Sequence, residues 1–259
     1  MKKETFADKL AKKSFDSKEM QESWAVHKNA FGPILEPAFV EDYQSRVHLV
    51  AALNKISRRD IMGGIKKLEK IQKSCVTDAD RAAWLFFMGL AYEMAGARAQ
   101  MLQCYQEAGT YHHGFYLPYL KVAKAAHTDA AYDVAEENYR EAIGCFEGTV
   151  LGEAEKVILA SAYTNLAACL VMMHRMDEAQ ASLDASVSIA ASQPGREATE
   201  ALLCAVKGEH ERAKALLNSL TGMPPAMLEA TVGVVDKIIA GTHPHFYPVE
   251  IGTEYIEEF

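Results

Sequence analysis

Apolar and small residues recur along this chain at helical spacing. Between residues 81 and 146 they recur twice in one register. Leu85, Met88, Gly89 and Tyr92 are followed by Met101, Tyr105 and Ala108. Thirty-four residues later stand Tyr119, Val122, Ala123 and Ala126, then Ala135, Tyr139 and Ala142. Steps of three and four put each set on one helix face. Small residues at Gly89, Ala123 and Ala135 let paired helices approach closely, and Tyr92, Tyr105 and Tyr139 fill the gaps between them. The pattern predicts an all-α array of antiparallel helix pairs.

The register extends both ways. Upstream, a helix is expected from Pro37 to Ile56, with Phe39, Tyr43, Val47, Val50 and Ala51 on one stripe and Leu49 and Leu53 beside it. Ser57-x-x-Asp60 has the form of a capping box. It would open a helix through Lys73 with Ile61, Ile65, Leu68 and Ile71 inward. Thr77-Asp78-Ala79-Asp80 is a strong helix start, and Thr128-Asp129 is expected to cap another helix. Downstream, Tyr163, Leu166, Ala167 and Leu170 precede Ala179 and Leu183. Ala179 lies 44 residues after Ala135, so about ten residues are inserted around 144–152, in the loop or the next helix. Ala213 and Leu217 restore the step of 34. A last helix is expected over 226–240.

These residues resemble the tetratricopeptide repeat family, over about 37–220. Leu85, Tyr119 and Tyr163 stand where the family has a tryptophan, and Trp84 lies one residue early. The resemblance implies a right-handed superhelical array of about five pairs plus a C-terminal capping helix. It also implies a concave groove, lined by first helices, that binds peptides or partner helices. Three segments are expected: an N-terminal helical extension (1–36), the repeat domain (37–240) and an extended tail (241–259). The tail carries Phe246, Tyr247, Val249, Ile251, Ile256, Tyr255 and Phe259. It is too apolar for an ordinary disordered segment.

The groove should display first-helix residues just beyond the packing positions. In order these are Leu49, Leu53, Phe86, Leu90, Leu120, Lys124, Thr164 and Ala168. The surface is mostly apolar, and the carboxylate clamp of chaperone-binding relatives is not reproduced. Either the groove is open to a partner or the chain's own ends fill it. In the second case the tail would be a built-in ligand, of its own chain or a neighbour's.

Charge adds one feature. The net charge is -8, which argues against nucleic acid as a partner of the whole molecule. Yet residues 1–75 carry 15 Lys and Arg against 10 Asp and Glu, and the remainder 12 against 25. Such asymmetry suits self-contact or an anionic partner at the basic end. A basic run, Arg58, Arg59, Lys66, Lys67, Lys70 and Lys73, has no interleaved aromatic residue for stacking bases.

Candidate chemistry is sparse. The five cysteines are scattered with no CxxC pair, and read as reduced, buried thiols of a cytoplasmic protein. Neighbours His112 and His113 do not share a helix face, and no Cys, Asp or Glu completes a ligand set there or at His243 and His245. His48, His127 and His174 read as helix-surface residues. No metal, cofactor or catalytic residue is expected, and no membrane span. The expected function is a non-catalytic adaptor for a protein or peptide, with a homodimer possible. The alternative is a regulator whose superhelix responds to a small peptide.

Overall fold

In a computed structural model the chain is described at residues 43–191, 195–220, 225–240 and 242. Segment 1–36 and tail residues 243–259 lie outside these residues. The described part contains eleven α-helices and no strand. It divides between Pro118 and Tyr119 into two units.

The first unit holds α1 (Tyr43–Ser57), α2 (Ile61–Leu68), α3 (Asp78–Met94) and α4 (Arg98–Tyr111). Helices α1 and α2 pack together, as do α3 and α4. Helix α5 (Tyr116–Thr128) crosses the division. The second unit continues with α6 (Tyr132–Gly144), α7 (Glu153–Met172), α8 (Met176–Ile189), α9 (Arg196–Val206), α10 (His210–Ser219) and α11 (Pro225–Ile239). There α7 pairs with α8 and α9 with α10, and α11 packs on α9. Ala123, Ala135, Tyr139, Leu166, Ala167, Leu170, Ala179 and Leu183 share one core, so the predicted small and large slots meet as expected.

One turn closes all five pairs. Arg59, Gly96, Ala130, His174 and Gly208 each adopt a left-handed backbone, with φ of 67°, 70°, 58°, 58° and 82°. The N–H of the next residue (Asp60, Ala97, Ala131, Arg175, Glu209) donates five residues back, at 2.8–2.9 Å. The N–H of the left-handed residue itself donates three back. These are Schellman turns, which satisfy the last carbonyls of each first helix. Their positions step by 37, 34, 44 and 34 residues, the periods read from the sequence. Glycine takes this conformation freely, whereas alanine strains. Ala130→Gly should therefore raise stability by about 0.5–1 kcal/mol, the relieved strain less the added entropy of the unfolded chain. An unchanged or lower urea midpoint would contradict this.

The helix starts are mixed. Thr77 caps α3 through a full capping box: its hydroxyl accepts from the Asp80 N–H, and Asp80 accepts from the Thr77 N–H at 2.9 Å. Ser57 is not the cap of α2. Asp60 takes that role, accepting from the Gly63 N–H at 3.0 Å, while the Ser57 hydroxyl donates back to the Asn54 carbonyl. Thr128 is the last residue of α5, donating to the Lys124 carbonyl, and Ala131 precedes α6 without a side-chain cap. The inserted residues extend both places expected. A loop spans 145–152, and α7 starts ten residues ahead of Tyr163 where α5 starts three ahead of Tyr119. Helix α7 is also long and apolar enough to cross a membrane, by length and composition. Leu166, Ala167, Cys169, Leu170 and Val171 of α7 instead lie buried in the core of the second unit.

Candidate functional site

In the first unit, helix–helix approach is set at Gly89. A Cβ there would stand 2.5 Å from Cε1 and 2.7 Å from Cδ1 of Tyr105. The Tyr105 ring is buried, and its hydroxyl donates to Glu93 at 2.6 Å, so it cannot swing away without losing that bond. Gly89→Ala should cost about 2 kcal/mol, the usual size of core overpacking. A thermal melt within a degree of wild type would contradict this.

Phe86 was expected in the groove and lies in the core. Its side chain is fully buried. It packs edge-on to Phe115 at 5.2 Å and to Phe87 at 6.0 Å, and tilted against Tyr105 at 5.6 Å. The start of α5 brings Phe115 over a face that the pair's own register leaves open. Leu49 and Leu53 are buried as well, together with Val50 of the neighbouring row of α1. Leu90 is half-buried. Trp84 is half-buried too, and its indole N–H donates at 3.0 Å to the Leu68 carbonyl at the end of α2, which also accepts from the Ile71 N–H.

In the second unit, Thr164 and Ala168 are also core residues. The Thr164 hydroxyl lies 3.0 Å from both the Ala160 carbonyl and the Ser186 hydroxyl, which ties α7 to α8. Leu120 is half-buried against the core cluster, and Lys124 is half-buried. The eight predicted groove residues thus fall four to each unit. Only Leu90, Leu120 and Lys124 keep partial exposure. The tail residues Phe246, Tyr247, Val249, Ile251, Tyr255 and Phe259 lie outside the described residues.

His127 is a further departure from the sequence reading. It is fully buried, not on the surface. Tyr132 and Tyr139 stand edge-on to it at 5.5 and 6.4 Å, and the Cys169 sulfur lies 3.4 Å from Nδ1. Among the described residues Nε2 has no hydrogen-bonding partner. Burial holds its pKa down, at about 4. Its place on the 3.6-residue wheel, one position after Ala126, gave no signal of this.

The thiols are poor nucleophiles. Burial pushes Cys75 up to about 12 and Cys104 and Cys145 up to about 11. Cys169, which is fully buried, is pushed up further. Among the described residues no three His, Cys, Asp or Glu gather as metal ligands. The acid–base groups that do gather form structural pairs. Arg175 donates to Glu178 at 2.6 and 2.7 Å and to Glu136 at 2.5 Å, and Arg140 joins Glu136 at 2.9 Å. That network holds α6 to the start of α8. The guanidinium of Arg196 donates to the Ala190 and Ala191 carbonyls and closes the loop ahead of α9.

Helix pairs, repeated turns and interleaved small residues define an all-α helical-repeat fold, similar to that of tetratricopeptide proteins. The same fold is seen in a solved structure of PilF from Pseudomonas aeruginosa, with a TM-score of 0.52, 13% identity, and coverage of 76% of this chain and 87% of that one. At this identity the likeness is one of fold. No protein-family model matches the chain, and no curated protein matches its sequence.

Proposed function

We propose that this protein is a non-catalytic adaptor that binds a protein or peptide partner through first-helix surface. The observation that carries this reading is the repeated helix pair itself. Stacked repeats of this kind form extended binding surfaces. The raised thiol pKa values support the absence of a cysteine nucleophile. The five free cysteines support a reducing, cytoplasmic setting.

Contact residues follow from exposure. Leu90 of α3, and Leu120 and Lys124 of α5, are the predicted groove residues that remain partly exposed. A displayed peptide library panned against the full chain should enrich a consensus. Leu90→Asp, or Leu120→Asp with Lys124→Glu, should abolish its binding while leaving the circular-dichroism melt near wild type. No enrichment, or enrichment that neither variant alters, would defeat the reading.

A further inference from the structure

The exposed sides of α2 and α6 carry opposite charge in the same slots of the repeat. Met62, Lys66 and Lys70 stand three, seven and eleven residues after the left-handed Arg59. Asp133, Glu137 and Glu141 stand at the same distances after the left-handed Ala130. All six are exposed. Steps of four follow one helix face. It lies away from the buried side, which is Gly64, Ile65 and Leu68 in α2 and Ala135, Tyr139 and Ala142 in α6. Lys70 and Lys73 belong to the turns that continue α2, and Lys73 extends its basic stripe. The other three pairs hold one carboxylate each in these slots, Glu107, Asp177 and Glu211, and no Lys or Arg.

Both stripes are uncompensated. Among the described residues Lys70 and Lys73 make no ion pair, nor do Asp133, Glu137 and Glu141. Lys66 feels Asp60, but that carboxylate is paired with Lys55. Glu69 is the one acid among the three lysines. Arg140, the one basic residue of α6, is committed to Glu136 and Glu178. Each stripe also carries an exposed apolar side chain, Met62 at 63% and Val134 at 39% exposure, so neither is an ordinary solvated face.

We propose that the basic face of α2 docks on the acidic face of α6 in a second copy of this chain. Lys66 to Lys73 and Asp133 to Glu141 span nearly equal lengths, roughly 11 and 12 Å at the helical rise. Three cations can therefore face three carboxylates. Met62 and Val134 shed water at the margin of the contact. Charge complementarity favours a second copy as the occupant. Nucleic acid would be held by charge alone, because residues 55–75 include no aromatic side chain to stack a base. A second copy brings an acidic stripe of matching length with an apolar residue beside it. The contact joins two short exposed surfaces, so it is weak and sensitive to salt. It uses second helices of their pairs, whereas Leu90, Leu120 and Lys124 lie on first helices.

Sedimentation equilibrium of the full chain tests this. In about 10 mM salt, where charges act over about 30 Å, the weight-average mass should rise with concentration above that of one chain. It should reach about 1.5 times that mass when the concentration matches the dissociation constant. In about 1 M salt, where that reach falls to about 3 Å, it should stay at one chain. Lys66→Glu with Lys70→Glu and Lys73→Glu should be monomeric in low salt. So should Asp133→Lys with Glu137→Lys and Glu141→Lys. Mixed in equal amounts, the two variants should associate again, because each then meets a stripe of opposite sign. The milder Lys66→Gln, Lys70→Gln and Lys73→Gln variant, which adds no new charge, should weaken association about tenfold, the sum of three exposed pairs. A single-chain mass at every concentration overturns the proposal. So does association that survives reversal of either stripe, or reversed variants that melt like wild type and stay apart when mixed. No peptide enters these measurements and no first-helix residue changes, so this result and the peptide-library result can fail separately.

Discussion

Phe86→Ala should cost about 3–5 kcal/mol, the range for truncating a fully buried aromatic ring. The ring touches Phe87, Tyr105 and Phe115. Its removal leaves a cavity among three large aromatics that cannot all collapse inward, because Tyr105 is held by Glu93 and by its contact with Gly89. The loss should appear as a lower urea midpoint with little change in slope. It also separates two roles for this residue. A groove residue would lose partner binding and keep its melt, whereas a core residue loses both. A Phe86→Ala variant as stable as wild type would return Phe86 to the surface and undo the packing account of α3.

Phe86 was misplaced by spacing for a physical reason. Spacing told which residues of α3 face α4, since Leu85, Gly89 and Tyr105 had to fit one another. It could not tell what lies over the opposite side. Phe115 covers Phe86 from a loop and helix start that the 34-residue period does not specify. Thr164 went the same way, because a hydroxyl that returns its hydrogen bond to Ala160 and meets Ser186 is as comfortable inside as out. Helix boundaries fared better where their chemistry is local. Thr77 and Asp80 form the capping box their sequence advertises. Ser57 and Thr128 matched cap patterns too, but a hydroxyl at the end of a helix finds the preceding turn's carbonyls first. The five Schellman turns are the most faithful trace of the repeat, yet Arg59, Ala130 and His174 give no glycine to mark them. Their periodicity was visible only through the core residues on either side.

Acid should weaken the second unit through His127. The imidazole is fully buried, flanked by the edges of Tyr132 and Tyr139 and by the Cys169 thiol; among the described residues no carboxylate is in hydrogen-bonding contact with it and no acceptor meets Nε2. An imidazolium there would lose its hydration and gain no counter-charge, so burial lowers the pKa from 6.5 to about 4. The sign follows from proton uptake. Above pH 6.5 the ring is neutral in both folded and unfolded chains, and its contribution is fully present. As pH falls from 6.5 toward 4 the unfolded chain takes up a proton that the folded chain refuses, so stability falls. The loss reaches about 3 kcal/mol once the pH is below the folded value, since each pH unit between the two values contributes about 1.4 kcal/mol. Other groups titrate over the same range, so the test is a difference. Unfolding free energies of wild type and His127→Gln, measured from pH 7.5 to 4, should converge in favour of the variant by about 3 kcal/mol. The curve for His127→Gln should keep only the slope of the remaining groups. Parallel curves for the two proteins would mean that His127 is protonated in the fold, and that some group other than those packed on it supplies the charge.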